Sequence, residues 1–84
     1  MEKYYLKNDK NDNMGYISYD IKNKILIISM VFVDENFRGL GVGSTLMKNI
    51  TDFAIKQNLK IKPICPFAAK FYNDKEEYRS LIVD

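Results

Sequence analysis

The feature that most constrains this chain is a glycine-rich junction, Arg38-Gly39-Leu40-Gly41-Val42-Gly43, between its most apolar run and its only long helical pattern. Glycines at a strand-to-helix junction adopt positive φ and let the backbone approach a ligand closely. The first turn of the following helix leaves N–H groups unpaired, and the helix dipole adds partial positive charge there. Together these features predict a phosphate cradle, which we interpret as the pyrophosphate site of a nucleotide-like cofactor.

Three strands are predicted before the junction, from alternation of apolar side chains and from turn residues. They cover residues 2–7, 14–21 and 25–33, and the first of them has the weak alternation of an edge strand. Asn23 is expected to be left-handed in a tight hairpin between the second strand and the third.

The third strand is apolar on both faces, which predicts a central strand covered on each side. Strict alternation divides its side chains into two sets. One set is Ile25, Ile27, Ser29, Val31 and Val33, and the other is Leu26, Ile28, Met30 and Phe32.

After the junction, helical periodicity continues to about Gln57, with Asn58 as a C-cap. A fourth strand is expected over 59–64, and a second helix over 67–72 behind Pro66. The long helix thus forms a right-handed parallel crossover. The expected fold is α/β (α+β), a compact mixed sheet of about four strands with one long helix after the glycine loop and a short C-terminal helix. Tail residues expected to dock on the core are Tyr78, Leu81 and Val83.

Composition limits the function classes. The 84 residues predict one domain, 1–84, and a net charge of +2 is too small a bias to indicate nucleic acid or an anionic membrane as partner. One cysteine and no histidine exclude an internal disulfide and a histidine base, and argue against a metal site. Without an apolar leader or a span of about 20 apolar residues, a reducing cytoplasm is the expected location.

Two common phosphate-binding motifs do not fit the junction. A dinucleotide fingerprint needs G-x-G-x-x-G and several βα units, whereas this chain has G-x-G-x-G and one crossover. A Walker A loop needs Lys before its Ser or Thr, and Ser44 follows Gly43 directly.

The remaining pattern, Arg38-x-x-Gly41-x-Gly43, resembles the acetyl-CoA loop of the GNAT acetyltransferase superfamily. The resemblance extends over about residues 14–81 to the small single-domain YjdJ-like branch, which has a similar strand, loop and Pro-x-Cys-Pro-Phe-Ala segment. The matching segments here are Ile28-Ser29-Met30-Val31-Phe32-Val33, the loop, Pro63-Ile64-Cys65-Pro66-Phe67-Ala68, Phe71-Tyr72 and Glu77-Tyr78. The chain departs at Met30 and Val31, where the branch tends to have His and Thr.

The resemblance implies a role for each part of the site. Backbone N–H groups of the loop would bind the CoA pyrophosphate, and the backbone of Phe32 and Val33 would pair with the pantetheine amides. Cys65 would be a nucleophile before a helix N-terminus, and Tyr72 would protonate the leaving thiolate. The loop residues are Arg38, Gly39, Leu40, Gly41, Val42, Gly43 and Ser44.

Each of these assignments has a plainer interpretation. The loop could be a glycine-rich turn with a surface arginine, Cys65 a buried small hydrophobe, and Tyr72 a core aromatic. Asp34 and Glu35, beside the loop, could accept a proton or could be solvated turn carboxylates.

The implied function is acetyl-CoA-dependent N-acetyl transfer to an unidentified amine, by direct attack or through Cys65. The alternative is a non-catalytic module that binds CoA or acetyl-CoA, favoured by the loss of His and Thr at Met30 and Val31. A third hypothesis is a small scaffold that binds no CoA. The expected partners are acetyl-CoA and a small or protein amine, and the chain would be a monomer or a homodimer whose acceptor side is open or closed by a second subunit.

Overall fold

A computed structural model describes residues 1–83 of the chain. The strands and helices are β1 Glu2–Lys7, β2 Asn13–Lys22, β3 Ile25–Val33, α1 Val42–Lys56, β4 Lys60–Pro63 and α2 Pro66–Asn73, with 3₁₀ turns at Glu35–Phe37 and Glu76–Leu81. This arrangement confirms the predicted fold class, and the bounds of the strands and helices agree with the sequence prediction to within one residue.

The strands form one sheet in the order β1-β2-β3-β4. β1, β2 and β3 are antiparallel neighbours, and β4 returns parallel to β3 after α1, as predicted for a crossover. Asn23, with φ 52°, and Lys24, with φ 62°, form the two-residue turn between β2 and β3. The tail docks beside β4, where the Val83 N–H donates to the Ile61 carbonyl oxygen at 2.8 Å.

The prediction of strict alternation along β3 is wrong, because the strand contains a bulge at Ser29. Ser18 pairs with Met30 while Tyr19 pairs with Ile28, so Ser29 has no partner on β2. An extra residue in one strand shifts the later side chains to the opposite face. Before the bulge, the side chains of Leu26 and Ile28 are buried in the core beneath the helices.

After the bulge, Val31 and Val33 pack against that same core. Coverage of β3 on both faces is also wrong as a prediction. Met30 and Phe32 lie on the outer face, where their side chains are 49% and 39% exposed.

Both helices contribute to the core on the inner face of the sheet. The buried stripe of α1 is Leu46, Met47, Ile50, Thr51 and Ala54. The C-cap of α1 is Gln57, and Asn58, the predicted cap, lies one residue beyond with a left-handed φ of 59°. Within residues 1–83, no helix combines the length and the apolar character needed to cross a membrane.

Gly15 marks the closest approach between β2, β3 and α1. A methyl group built on Gly15 would overlap the Phe32 carbonyl oxygen and lie 3.2 Å from Leu46 Cδ1. Because the backbone oxygen cannot move aside without disturbing the strand pairing, the side chain of any other residue would separate the layers.

We expect Gly15→Ala to lower the free energy of unfolding by about 1–3 kcal/mol, the range for overpacking a core. Urea denaturation followed by circular dichroism measures this loss. Lys10→Ala, in the exposed turn after β1, is the control and should change stability by less than about 0.5 kcal/mol. Equal stability of the two variants would contradict the close approach at Gly15.

Candidate functional site

The loop between β3 and α1 is shaped by a capped turn and two left-handed glycines. Asp34 Oδ1 accepts a hydrogen bond from the Asn36 N–H at 2.9 Å, which closes the 3₁₀ turn. Gly39 and Gly41 then have φ of 81° and 76°. A Cβ atom built on either glycine would meet no atom within 4 Å. Glycine is therefore required there by the backbone conformation, and open space remains beside the loop.

The start of α1 presents unpaired N–H groups to that space. The first intrahelical hydrogen bond runs from the Thr45 N–H to the Gly41 carbonyl oxygen at 3.0 Å, so the N–H groups of Val42, Gly43 and Ser44 precede it. Over the described part of the chain, no side chain caps this terminus, and its first turn holds no acidic residue. These groups can serve as hydrogen-bond donors to an anion.

Arg38 lies at the edge of the same space. Its Nε donates to the Val33 carbonyl oxygen at 3.1 Å, which holds the guanidinium beside the loop. The resulting groove has a volume of about 230 Å³. It is lined by Val33, Arg38, Gly39, Gly41, Val42, Gly43, Ser44 and Phe67.

A larger groove, of about 560 Å³, lies between the end of β4, α2 and the C-terminal segment. Another groove, of about 580 Å³, lies along α1 beside Asn49, Asp52, Phe53, Ile55 and Lys56. The smaller groove is the better candidate for binding an anion, because it combines free helix N–H groups with the Arg38 cation.

Phe67 is a site residue that sequence reasoning missed. Gly43 does not have a positive φ, so its role differs from that of Gly39 and Gly41. A methyl group on Gly43 would lie 2.8 Å from Phe67 Cζ, which means that the third glycine lets the ring lie on the start of α1. A glycine placed inside a helix was the available signal, since glycine there has a conformational cost.

The sheet opens beside the loop because β4 ends early. The Ile28 carbonyl oxygen accepts hydrogen bonds from the Ile64 and Cys65 N–H groups, at 3.0 and 3.1 Å. The register of β3 with β4 ends there, at the pair Ile28 and Pro63. The remainder of β3, to Val33, continues past the end of β4. We call the gap beside this part of β3 the opening.

The antiparallel register decides which β3 groups face this opening. The Asp34 N–H donates to the Met14 carbonyl oxygen at 2.9 Å. Hydrogen-bonded and non-bonded pairs alternate in such a ladder, so the backbone of Phe32 points to β2. The backbone groups of Val31 and Val33 point to the opening. Phe32 and Val33 were expected to contact pantetheine, but only Val33 turns its backbone N–H to the opening. Val31, which was not predicted, also does so.

Cys65 lies at the opening as the N-cap of α2 and is 9% exposed. Its N–H is bonded to Ile28, and its carbonyl oxygen accepts the Ala69 N–H at 2.9 Å. The backbone around the thiol is therefore held by both β3 and α2.

Tyr72 is buried on α2, and its hydroxyl lies 2.6 Å from Thr51 Oγ1 on α1. Thr51 donates its own proton to the Met47 carbonyl oxygen at 2.6 Å, so Tyr72 is the donor in this pair. Burial raises the pKa of Tyr72 to about 12, with a smaller increase from Tyr78.

Two of the predicted cofactor residues lie outside the groove. Leu40 projects from the loop with 70% of its surface exposed, and the side chain of Phe32 lies on the outer face of the sheet. The other predicted loop residues lie together. Among residues 1–83, no three Cys, Asp or Glu side chains gather as metal ligands would.

Comparison with known families gives a match over most of the chain. The family described as GCN5-related N-acetyl-transferase matches residues 3–81. No curated protein matched the chain.

Solved structures show the same fold. A GCN5-like protein from Staphylococcus aureus, determined by NMR, is 29% identical over 96% of this chain and 80% of its own, with a TM-score of 0.75. An acetyltransferase from Bacillus cereus is 26% identical, with a TM-score of 0.63. A GNAT-family acetyltransferase from Staphylococcus aureus Mu50, at 23% identity and a TM-score of 0.61, supports the fold. The chain spans 44% and 38% of the length of these last two proteins.

The buried hydroxyl of Tyr72 predicts a loss of stability at high pH. Its pKa is raised above the ordinary 10.0 to about 12. The contribution of the neutral hydroxyl to the free energy of unfolding is therefore complete below pH 10 and is lost as the pH rises to 12. Between about pH 9.5 and 12, the wild type should lose about 2 kcal/mol more than Tyr72→Phe, as two pKa units imply. Urea denaturation at several pH values measures this. Parallel losses in both proteins would contradict it.

Proposed function

The chain belongs to the GCN5-related N-acetyltransferase family, and we propose that it transfers the acetyl group of acetyl-CoA to a primary amine. The observation that carries this proposal is the continuity of two sets of backbone donors. The free N–H groups at the start of α1 lead directly to the unpaired edge of β3 at Val31 and Val33. An elongated substrate with a diphosphate at one end and amides along its arm matches that sequence of groups.

The diphosphate would lie against the start of α1. Three N–H groups, of Val42, Gly43 and Ser44, can donate to its oxygens, and the helix dipole favours its charge. Arg38 adds a cation that its hydrogen bond to Val33 already orients. The open space beside Gly39 and Gly41 is where a larger side chain would exclude the ligand.

The pantetheine arm would pair with the free edge of β3. An extended amide chain can take the place of the neighbouring strand that β4 does not provide beyond Ile28. The Val31 N–H is then a donor available to the thioester carbonyl oxygen, where it would stabilise the negative charge that develops during attack.

The chemical step joins the amine nitrogen to the carbonyl carbon and breaks the bond from that carbon to sulfur. The electron pair of the broken bond leaves with CoA as a thiolate, and the amine loses one proton. Since the chain has no histidine, we propose that water receives this proton. The attacking amine must be neutral, although an alkylamine such as Lys has a pKa near 10.4.

In this proposal Tyr72 holds α2 in place instead of donating a proton. Its hydroxyl already donates to Thr51, and burial raises its pKa to about 12. An ordinary thiol has a pKa of about 8.5, so proton transfer from Tyr72 to the thiolate would be uphill by several pKa units. The departing thiolate would take a proton from water.

We expect Gly41→Asn to abolish the thermal stabilisation of the protein by acetyl-CoA. Asparagine tolerates a left-handed backbone better than other side chains, so the loop should keep its shape while the new amide fills the groove. Differential scanning fluorimetry with acetyl-CoA and with CoA measures the effect. A shift equal to that of the wild type would overturn the diphosphate assignment.

Arg38→Gln should weaken acetyl-CoA binding by about 10-fold, the order expected on losing one charged hydrogen bond. Isothermal titration gives the dissociation constant. Lys70→Gln removes an exposed cation from α2, away from the groove, and should leave the constant unchanged. Equal weakening by both variants would indicate a general charge effect in place of a specific contact.

Single-turnover kinetics of Cys65→Ala and Cys65→Ser would separate the two routes of transfer. If Cys65 first accepts the acetyl group, both variants lose the fast step, and an acetylated wild-type protein is detectable by mass spectrometry. If the amine attacks directly, Cys65→Ala keeps most of the rate, because alanine is tolerated in place of this small buried residue. Full retention would exclude the covalent route.

A non-catalytic CoA-binding module is the second candidate, and one observation favours it. Met30 lies on the outer face next to the opening. Its thioether cannot take a proton from an attacking amine, as a base at that position could. Tight binding of acetyl-CoA with no transfer to any primary amine would support this candidate over an enzyme.

A further inference from the structure

The outer face of the sheet carries a row of aromatic rings. Tyr5, Tyr16 and Phe32, with Met30, form what we call the aromatic shelf. The ring centroids of Tyr5 and Tyr16 lie 5.7 Å apart, and those of Tyr16 and Phe32 lie 5.3 Å apart. The Tyr16 hydroxyl lies 3.7 Å from Met30 Sδ. The row thus crosses three strands, from β1 to β3.

This shelf already holds an ammonium group. Lys3 Nζ lies 4.7 Å from the centroid of the Tyr16 ring, within the range of a cation–π contact. Lys3 belongs to the edge strand β1 and is exposed, so its flexible side chain can leave the ring for solvent. The face of Tyr16 is therefore an ammonium site that a competing cation can occupy.

The shelf borders the opening beside β3 on its accessible side. Helices α1 and α2 pack on the inner face with Cys65 and Tyr72, so the outer face is an uncovered side from which an acceptor can reach the edge of β3. Met30 and Phe32 belong both to the shelf and to the part of β3 that extends past β4. An acceptor that arrives from this face passes over the shelf.

We propose that the aromatic shelf binds a second, cationic group of the acceptor, while the attacking amine lies at the edge of β3. This inference rests on the proposed acetyl transfer. The attacking amine cannot be the one held over Tyr16, because a cation–π contact stabilises the protonated form and attack requires the neutral form. The preferred substrate class is therefore a small amine with two basic nitrogens.

The spacing between the two nitrogens follows from the sheet. Adjacent strands lie about 4.8 Å apart, and Tyr16 is on β2, one strand before β3. The outer edge of β3 is thus roughly 7 Å from the Tyr16 ring, about one and a half strand spacings. A chain of four or five methylene groups between two nitrogens covers that distance.

The test compares 1,5-diaminopentane with pentylamine as acceptors for acetyl-CoA. These probes share a length and an attacking amine and differ in the second cation. We expect kcat/KM to be about fivefold higher for the diamine, the order of a cation–π contact at a partly exposed ring. Statistical correction for its two equivalent amines is applied first. Equal corrected values would overturn the proposal.

Substitutions of Tyr16 and Lys3 should identify the Tyr16 ring as the group that binds the second cation. Tyr16→Leu keeps an apolar side chain but removes the ring, and should abolish the preference, whereas Tyr16→Phe keeps the ring and should retain it. Lys3→Gln removes the competing ammonium and should lower KM for the diamine. Lys10→Gln, which removes a cation from the turn after β1, should leave KM unchanged. Persistence of the preference in Tyr16→Leu would contradict the assignment.

A binding measurement without acetyl-CoA separates this inference from the proposed function. Tetramethylammonium is titrated into the protein, and the ring signals of Tyr16 are followed by NMR. Ring shifts without acetyl transfer to any amine would support the proposed cation site and contradict the proposed acetyl transfer. Transfer to both amines at equal corrected rates, without ring shifts, would overturn the cation site and retain the enzyme. The absence of both would overturn both.

Discussion

The site depends on one carbonyl oxygen, that of Ile28, which accepts two N–H groups where β4 turns away from β3. Because both donors, Ile64 and Cys65, lie after the end of the strand pairing, the chain has already begun its turn toward α2. Pro63, the last residue of β4, has no N–H with which to extend the ladder. The edge of β3 beyond Ile28 is consequently left without a strand neighbour, and the opening in the sheet is a product of the backbone connections.

The bulge at Ser29 comes one residue after Ile28, the last residue of β3 that pairs with β4. Its position lets β3 fill the core along its whole length and still leave a free edge. Before it, Leu26 and Ile28 fill the core, and after it Val31 and Val33 do so. The change of face occurs where β4 no longer constrains the strand, so the extra residue disturbs the pairing with β2 alone. The same change places the side chain of Met30 outward, beside the opening, and so contributes to the aromatic shelf.

The strands, the long helix and the glycine loop could be predicted because each is specified by local sequence. The bulge could not, because β3 is apolar on both faces, and a shift of one residue then leaves a hydrophobic pattern on either side. The contact of Phe67 with Gly43 and that of Tyr72 with Thr51 depend on how α2 lies against α1. No periodicity within one helix contains that information, although a glycine inside α1 indicated that something approaches it closely.

These two contacts explain how the loop and Cys65 keep a defined separation. The Phe67 ring lies on Gly43 near the start of both helices, and the Tyr72 hydroxyl bonds to Thr51 farther along each. Two contacts along one helix pair restrict both the distance and the angle between the axes. Since Cys65 caps α2 while the unpaired N–H groups begin α1, these contacts fix the position of Cys65 relative to the loop. The buried Tyr72 hydroxyl, through its bond to Thr51, therefore helps to set the geometry of the opening.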